Sequence, residues 1–140
     1  MVDIYVEYKG DLQCRAEHGP SGAVLVTDAP VDNHGLGGSF SATDLVATGL
    51  GTCIATVMGI LAKKRGYQLE GMRVHVKKKM TSAPPRRIAE LAVEITLPTR
   101  ATLSVADARA ELELVAEQCP VRLSLLDAIA VPIRFDWQRA

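Results

Sequence analysis

The sequence predicts an α+β protein, and three observations carry that expectation. Strand-like segments come in a block of three and a block of two instead of alternating one by one with helices. Val2, Ile4, Val6 and Tyr8 alternate with Asp3, Tyr5, Glu7 and Lys9, and Leu91, Val93, Ile95 and Leu97 repeat that period of two, the pattern of half-buried strands. Between the blocks, the run from Leu45 to Ala62 is too long for a strand and reads as a buried core helix.

In order, the first strand ends at a turn made by Gly10 and Asp11. A weaker strand spans residues 12–18, the Gly19-Pro20-Ser21-Gly22 turn follows, and a short apolar strand covers residues 23–28. Residues 29–40 contain Pro30, Asp32, Asn33, Gly35, Gly37 and Gly38 and are expected as a loop of functional length. Ser41 and Asp44 form a capping-box pattern ahead of a helix over residues 43–64. Lys63, Lys64 and Arg65 suit its negative end, and Gly66 stops it. Met72, Val74 and Val76 begin a strand that pairs as a hairpin, across Pro84 and Pro85, with the strand through Leu91 and Leu97.

A second helix opens at residues 104–107 and runs to Gln118. Pro120 cannot continue it and starts a short helix to about Leu126. The last strand alternates Ile129, Val131, Ile133, Phe135 and Trp137, with Pro132 demoting it to an edge or bulge. The order βββ-α-ββ-α(α)-β, with neither repeat nor linker, is expected as one domain over residues 1–140.

Sixteen basic and sixteen acidic residues cancel, so no long-range field recruits nucleic acid or an anionic membrane, and neither is an expected partner. The first residues lack the basic and apolar segments of a secretory signal, which points to a cytoplasmic location. No CxxC occurs, and His18, His34 and His75 are scattered, so neither a zinc site nor any other cofactor is expected.

Three cysteines without a secretion signal read as free or redox-active thiols. Cys53 falls near the middle of the long helix, among Gly49, Gly51 and Gly59. Each glycine costs about 1 kcal/mol relative to alanine, which close approach of another backbone would explain. A mid-helix cysteine is more often inert than nucleophilic, and the dipole helps a thiolate only in the first turn, so a reactive Cys53 needs a neighbour from elsewhere. Cys119, just before Pro120, is expected at an N-cap where free N–H groups favour a thiolate. Cys14 lies on a weak strand and reads as structural.

The stretch from Phe40 through Ser41-Ala42-Thr43-Asp44 to Gly51-Thr52-Cys53, the following Met58-Gly-Ile-Leu-Ala-Lys-Lys-Arg65, and Cys119-Pro-Val-Arg-Leu-Ser-Leu125 resemble the two cysteine motifs of the OsmC/Ohr superfamily. The resemblance covers essentially the whole chain, with the two cysteines 66 positions apart. It implies an OsmC-like fold and an interlocked homodimer with two long central helices and active sites at the interface. It also implies thiol-dependent reduction of organic hydroperoxides, and of hydrogen peroxide more slowly. Cys53 would attack the peroxide, Cys119 would resolve the sulfenic acid as a disulfide, and a small or protein-borne dithiol would restore both.

The organic hydroperoxide branch adds an early-strand arginine, for which Arg15 is the candidate, and a glutamate ten positions before the first cysteine. That position is Thr43 here, with Asp44 beside it. Competing expectations are a non-catalytic dimer that binds an apolar small molecule and a redox sensor. His18, Asp28 and Asn33 flank the long loop and could line a pocket, but turn formation and strand-end solvation explain them better. Lys77, Lys78 and Lys79 with Arg86 and Arg87 form a basic patch near the hairpin tip, and Arg86, Arg87 or Arg122 are further candidates for the cation beside a thiolate.

Overall fold

The structure, a computed structural model, describes residues 1–98 and 106–137. It contains β1 (Ile4–Gly10), β2 (Gln13–His18), β3 (Val24–Asp28), a 3-10 turn (Val31–Asn33), α1 (Ala42–Arg65), β4 (Arg73–Met80), β5 (Ile88–Leu97), α2 (Ala106–Glu117), α3 (Pro120–Ser124) and β6 (Ile133–Trp137). The α+β class and the element order follow the sequence expectation. The expected opening of the second helix at Ser104 lies outside the described residues. Two compact units result, residues 1–46 and 47–140.

In the first unit β1, β2 and β3 form an antiparallel meander. The turn between β1 and β2 sits later than Gly10-Asp11, because Asp11 and Leu12 also take positive φ and carry the reversal. Burial departs more strongly from the period-two pattern. Ile4, Val6 and Tyr8 are 55%, 66% and 64% exposed, and Tyr5 on the other face is exposed as well. Only Asp28 and Ser41 are buried in this unit. A three-stranded sheet with both faces wet lacks the hydrophobic cover that such sheets need.

The second unit holds the core. β4 pairs antiparallel with β5, and β6 lies parallel along the other side of β5, so β6 is an edge strand. The expected strand over residues 129–137 is shortened to Ile133–Trp137. Pro132 has no N–H for the ladder, and N-terminal to it only an isolated bridge joins Ala130 to Glu90. Leu91, Val93, Ile95 and Leu97 of β5 pack with Leu50, Ile54 and Met58 of α1 and with Leu112 and Ala116 of α2.

The N-terminus of α1 is a reciprocal capping box. Ser41 Oγ accepts the Asp44 N–H at 3.1 Å, and the Asp44 carboxylate accepts the Ser41 N–H at 2.8 Å. At the other end Gly66, at φ 75°, turns the chain so that the Tyr67 N–H reaches the Ala62 carbonyl. By length and composition α1 is apolar enough to cross a membrane, a test that the core helix of a soluble protein also passes.

Within one chain the burial of α1 is one-sided. One stripe, including Ala47, Leu50, Ile54, Met58 and Ala62, is buried, while Val46 and Ile60 are 37% and 52% exposed. The glycines follow the same division. A Cβ on Gly51 would meet Val76 Cγ2 at 3.1 Å, so β4 side chains rather than a backbone require that glycine, and Gly49 and Gly59 have nothing within 4 Å.

Replacing Ser41 with alanine removes one half of the capping box and is expected to cost about 1 kcal/mol of stability. Urea denaturation of the variant beside the parent measures this; an unchanged midpoint means that the cap contributes nothing.

Candidate functional site

Cys119 is where the sequence placed it, at the N-cap of α3. Its φ and ψ of −64° and 141° are extended, Pro120 occupies the first helical position, and Sγ accepts the Arg122 N–H at 3.3 Å. The carbonyl of Cys119 accepts from Leu123, and Ser124 Oγ donates to the Pro120 carbonyl, so the single turn is well pinned. Unlike an ordinary cap, this residue is completely buried. The signal was present in the sequence: Leu112, Ala116 and Cys119 fall at i, i+4 and i+7, the spacing of one buried helical stripe.

Cys53 reaches the same place from α1. It is half-buried and packs against the core that includes Cys119, near enough that its sulfur contributes to the shift of the Cys119 thiol. Two sulfurs 66 positions apart in the chain thus meet as free thiols.

Burial pushes the Cys119 thiol above its ordinary pKa, and the hydrogen bond to Cys53 and the proximity of that sulfur push the same way. The backbone N–H groups of Arg122 and Val121 pull it down, but by less. The expectation that the N-cap would favour a thiolate at Cys119 is therefore corrected: the cap geometry is present and desolvation outweighs it. Cys119 therefore holds its proton more tightly than an ordinary thiol does.

Arg122 contributes more than its backbone. Its Nε is shut off from solvent and finds no hydrogen-bond acceptor among the described residues. A buried donor left unpaired costs about 1–3 kcal/mol.

The other candidates are placed as follows. Arg15 lies on β2 in the first unit, half-exposed, with its guanidinium held by Glu17 at 2.8 Å. Thr43 shares a hydrogen bond of 3.1 Å with Ser41, and Asp44 is engaged in the α1 cap. Cys14 pairs with Tyr8 and Thr27 across its sheet. His18 holds Ser21 in the β2–β3 turn at 2.6 Å, and Asn33 belongs to the 3-10 turn, so both serve turns as expected. Asp28 is buried; one carboxylate oxygen accepts the Gly38 N–H and the other has no partner among the described residues. Lys77 and Lys79 stand on the exposed side of β4, and Arg87 closes the hairpin through backbone bonds to Thr81.

Comparison with known proteins bears on the family and the fold. Residues 35–134 match the family described as OsmC-like protein. A crystal structure of a proposed osmotic stress induced and detoxification response protein from Psychrobacter arcticus 273-4 is 34% identical, with 97% of this chain and 96% of that chain covered at a TM-score of 0.89. An organic hydroperoxide resistance protein OsmC from Legionella pneumophila shares the fold at 16% identity, covering 97% and 96% of the two chains, with a TM-score of 0.76. An OsmC-like protein from Mycoplasma pneumoniae does so at 16% identity, with 97% and 96% covered and a TM-score of 0.74. No curated protein matches in sequence.

A thiol whose pKa is raised in the folded state favours the fold below its unfolded value of about 8.5, and that contribution is lost as pH rises above it. Urea midpoints are therefore expected to fall between pH 8 and 10, with a smaller fall in Cys119→Ala. In the parent, iodoacetamide at pH 7.5 should label Cys53 well before Cys119. Equal labelling of the two would contradict the burial described above.

Proposed function

Because this chain belongs to the OsmC-like protein family, whose structural relatives include proteins named for organic hydroperoxide resistance, we propose that it is a thiol-dependent hydroperoxide reductase. The observation that carries this reading is the contact between Cys53 and a protonated, buried Cys119. Burial holds the proton on Cys119, which leaves Cys53, the better exposed of the two, as the sulfur placed to meet the peroxide first.

The Cys53 thiolate attacks the distal peroxide oxygen, the O–O bond breaks, and the alkoxide takes up a proton to leave as the alcohol. Cys53 is then a sulfenic acid. Cys119 displaces its hydroxyl as water to form the disulfide, and a dithiol reduces that bond to regenerate two thiols. Val57 and Ile54, on α1 beside Cys53, make its surroundings apolar. An alkyl tail buried there gains about 25 cal/mol per Å², which favours organic hydroperoxides over hydrogen peroxide.

The reading includes a homodimer. Its support is the uncovered face of α1, where Gly49 and Gly59 leave open space and the hydroxyls of Thr52 and Thr56 turn back onto backbone carbonyls one turn earlier. A second copy would cover this face.

Cys53→Ser is expected to abolish consumption of cumene hydroperoxide with dihydrolipoamide or dithiothreitol. Cys119→Ser should trap a sulfenic acid without steady turnover, and mass spectrometry of the peroxide-treated parent should show the Cys53–Cys119 bridge. Full activity in Cys53→Ser rejects the mechanism. Absence of the bridge in the parent favours a binding dimer, a reading supported by the unmatched glutamate at Thr43 and the engagement of Arg15 by Glu17. For the assembly, Thr56→Arg is expected to convert a dimer to a monomer in sedimentation velocity, whereas a monomeric parent rules the dimer out.

A further inference from the structure

Arg122 has a side chain that the reading so far leaves unused. Arginine is charged at every accessible pH, and its N–H groups are strong donors to anions. The Nε of Arg122 is desolvated, unpaired among the described residues, and carried by the residue whose own N–H holds the Cys119 sulfur at 3.3 Å. A donor in that condition is open to an anion, and the pair beside it acquires a negative charge when Cys53 loses its proton.

The positive groups of α1 and α2 are placed less well. Lys63, Lys64 and Arg65 lie ten or more residues along α1 from Cys53, roughly 15 Å or more at 1.5 Å per residue. Arg65 is moreover bound by Glu111, and Arg109 stacks on Trp137. Lys78 is the rival, two residues along β4 from the Val76 that touches Gly51.

We propose that the Arg122 guanidinium is the cation that serves the Cys53–Cys119 pair, holding the negative charge on Cys53 when its thiol ionises and on the oxygen that Cys53 carries after oxidation. It is a positioning residue for the thiolate, supplied by the same short helix that presents the resolving thiol. The role rests on the peroxidase reading only for its use in turnover; its effect on thiol ionisation can be measured without peroxide.

The test is the pH profile of Cys53 alkylation by iodoacetamide in the intact protein, followed by mass spectrometry, for the parent, Arg122→Met, Arg122→Lys and Lys78→Met. An opposite charge within about 4–6 Å changes a pKa by at least about one unit, so Arg122→Met is expected to slow alkylation at pH 7 about tenfold and to move the profile to higher pH. Arg122→Lys should recover much of the rate, and Lys78→Met should match the parent. If Arg122→Met does not fold, Arg122→Gln takes its place, with the same expected loss. A parent-like profile in the Arg122 variants, or a loss confined to Lys78→Met, overturns the proposal. Peroxide consumption by the parent in parallel separates the two claims: an inactive parent with a displaced Arg122→Met profile defeats the peroxidase reading alone, and an active parent with an undisplaced profile defeats the Arg122 role alone.

Discussion

The burial of Cys119 is the constraint on which the chemistry of this molecule depends. Its side chain ends the apolar stripe of α2, while its backbone begins α3, and the two demands meet at one residue. Pro120 fixes the break between the helices and frees the N–H groups that reach back to the sulfur. Because the same residue lies against α1 through Cys53, the joint between two small helices becomes a joint between two thiols. An alanine at position 119 would preserve much of the packing and none of the chemistry.

A second constraint is the excess of apolar surface over what one chain can cover. α1 is apolar around most of its circumference yet buries one stripe, and the first sheet presents Ile4, Val6 and Tyr8 to water. Sequence periodicity reports which side chains seek burial, and it does not say whether the cover comes from the same chain. That is why the period-two pattern of β1 correctly marked a strand and failed to describe its surroundings. The open space beside Gly49 and Gly59 carries the same message, in contrast to Gly51, whose missing side chain is explained by Val74 and Val76.

Much of the fold was legible because local signals were strong and mutually consistent. Ser41 and Asp44 marked a helix start, Gly66 a stop, and Pro120 a restart, and each works through the hydrogen bonds expected of it. Boundaries moved where tertiary pairing overrode local pattern, as in β5, which begins at Ile88 because β4 continues to Met80 opposite it. At the site, the two cysteines were visible from their motifs, but the protonation of Cys119 was not. The N-cap rule describes a solvated helix end, and here desolvation opposes it. Arg122 was identifiable only as a nearby charge, since an unpaired Nε is a property of packing.

Burial of the resolving thiol looks at first like a handicap in the proposed cycle, because a thiol attacks as its thiolate. Each unit by which its pKa rises lowers the thiolate fraction about tenfold, but the thiolate that forms is a stronger nucleophile. With a Brønsted coefficient of about 0.4–0.5, roughly threefold of that loss is recovered. The net penalty is then about threefold per unit, small beside the effective molarities of about 10⁵ M or more available to well-oriented intramolecular pairs. Holding Cys119 in contact with Cys53 is thus worth far more than lowering its pKa. The same burial keeps the waiting proton on the correct sulfur, so the feature that makes Cys119 a poor first nucleophile suits it to second place.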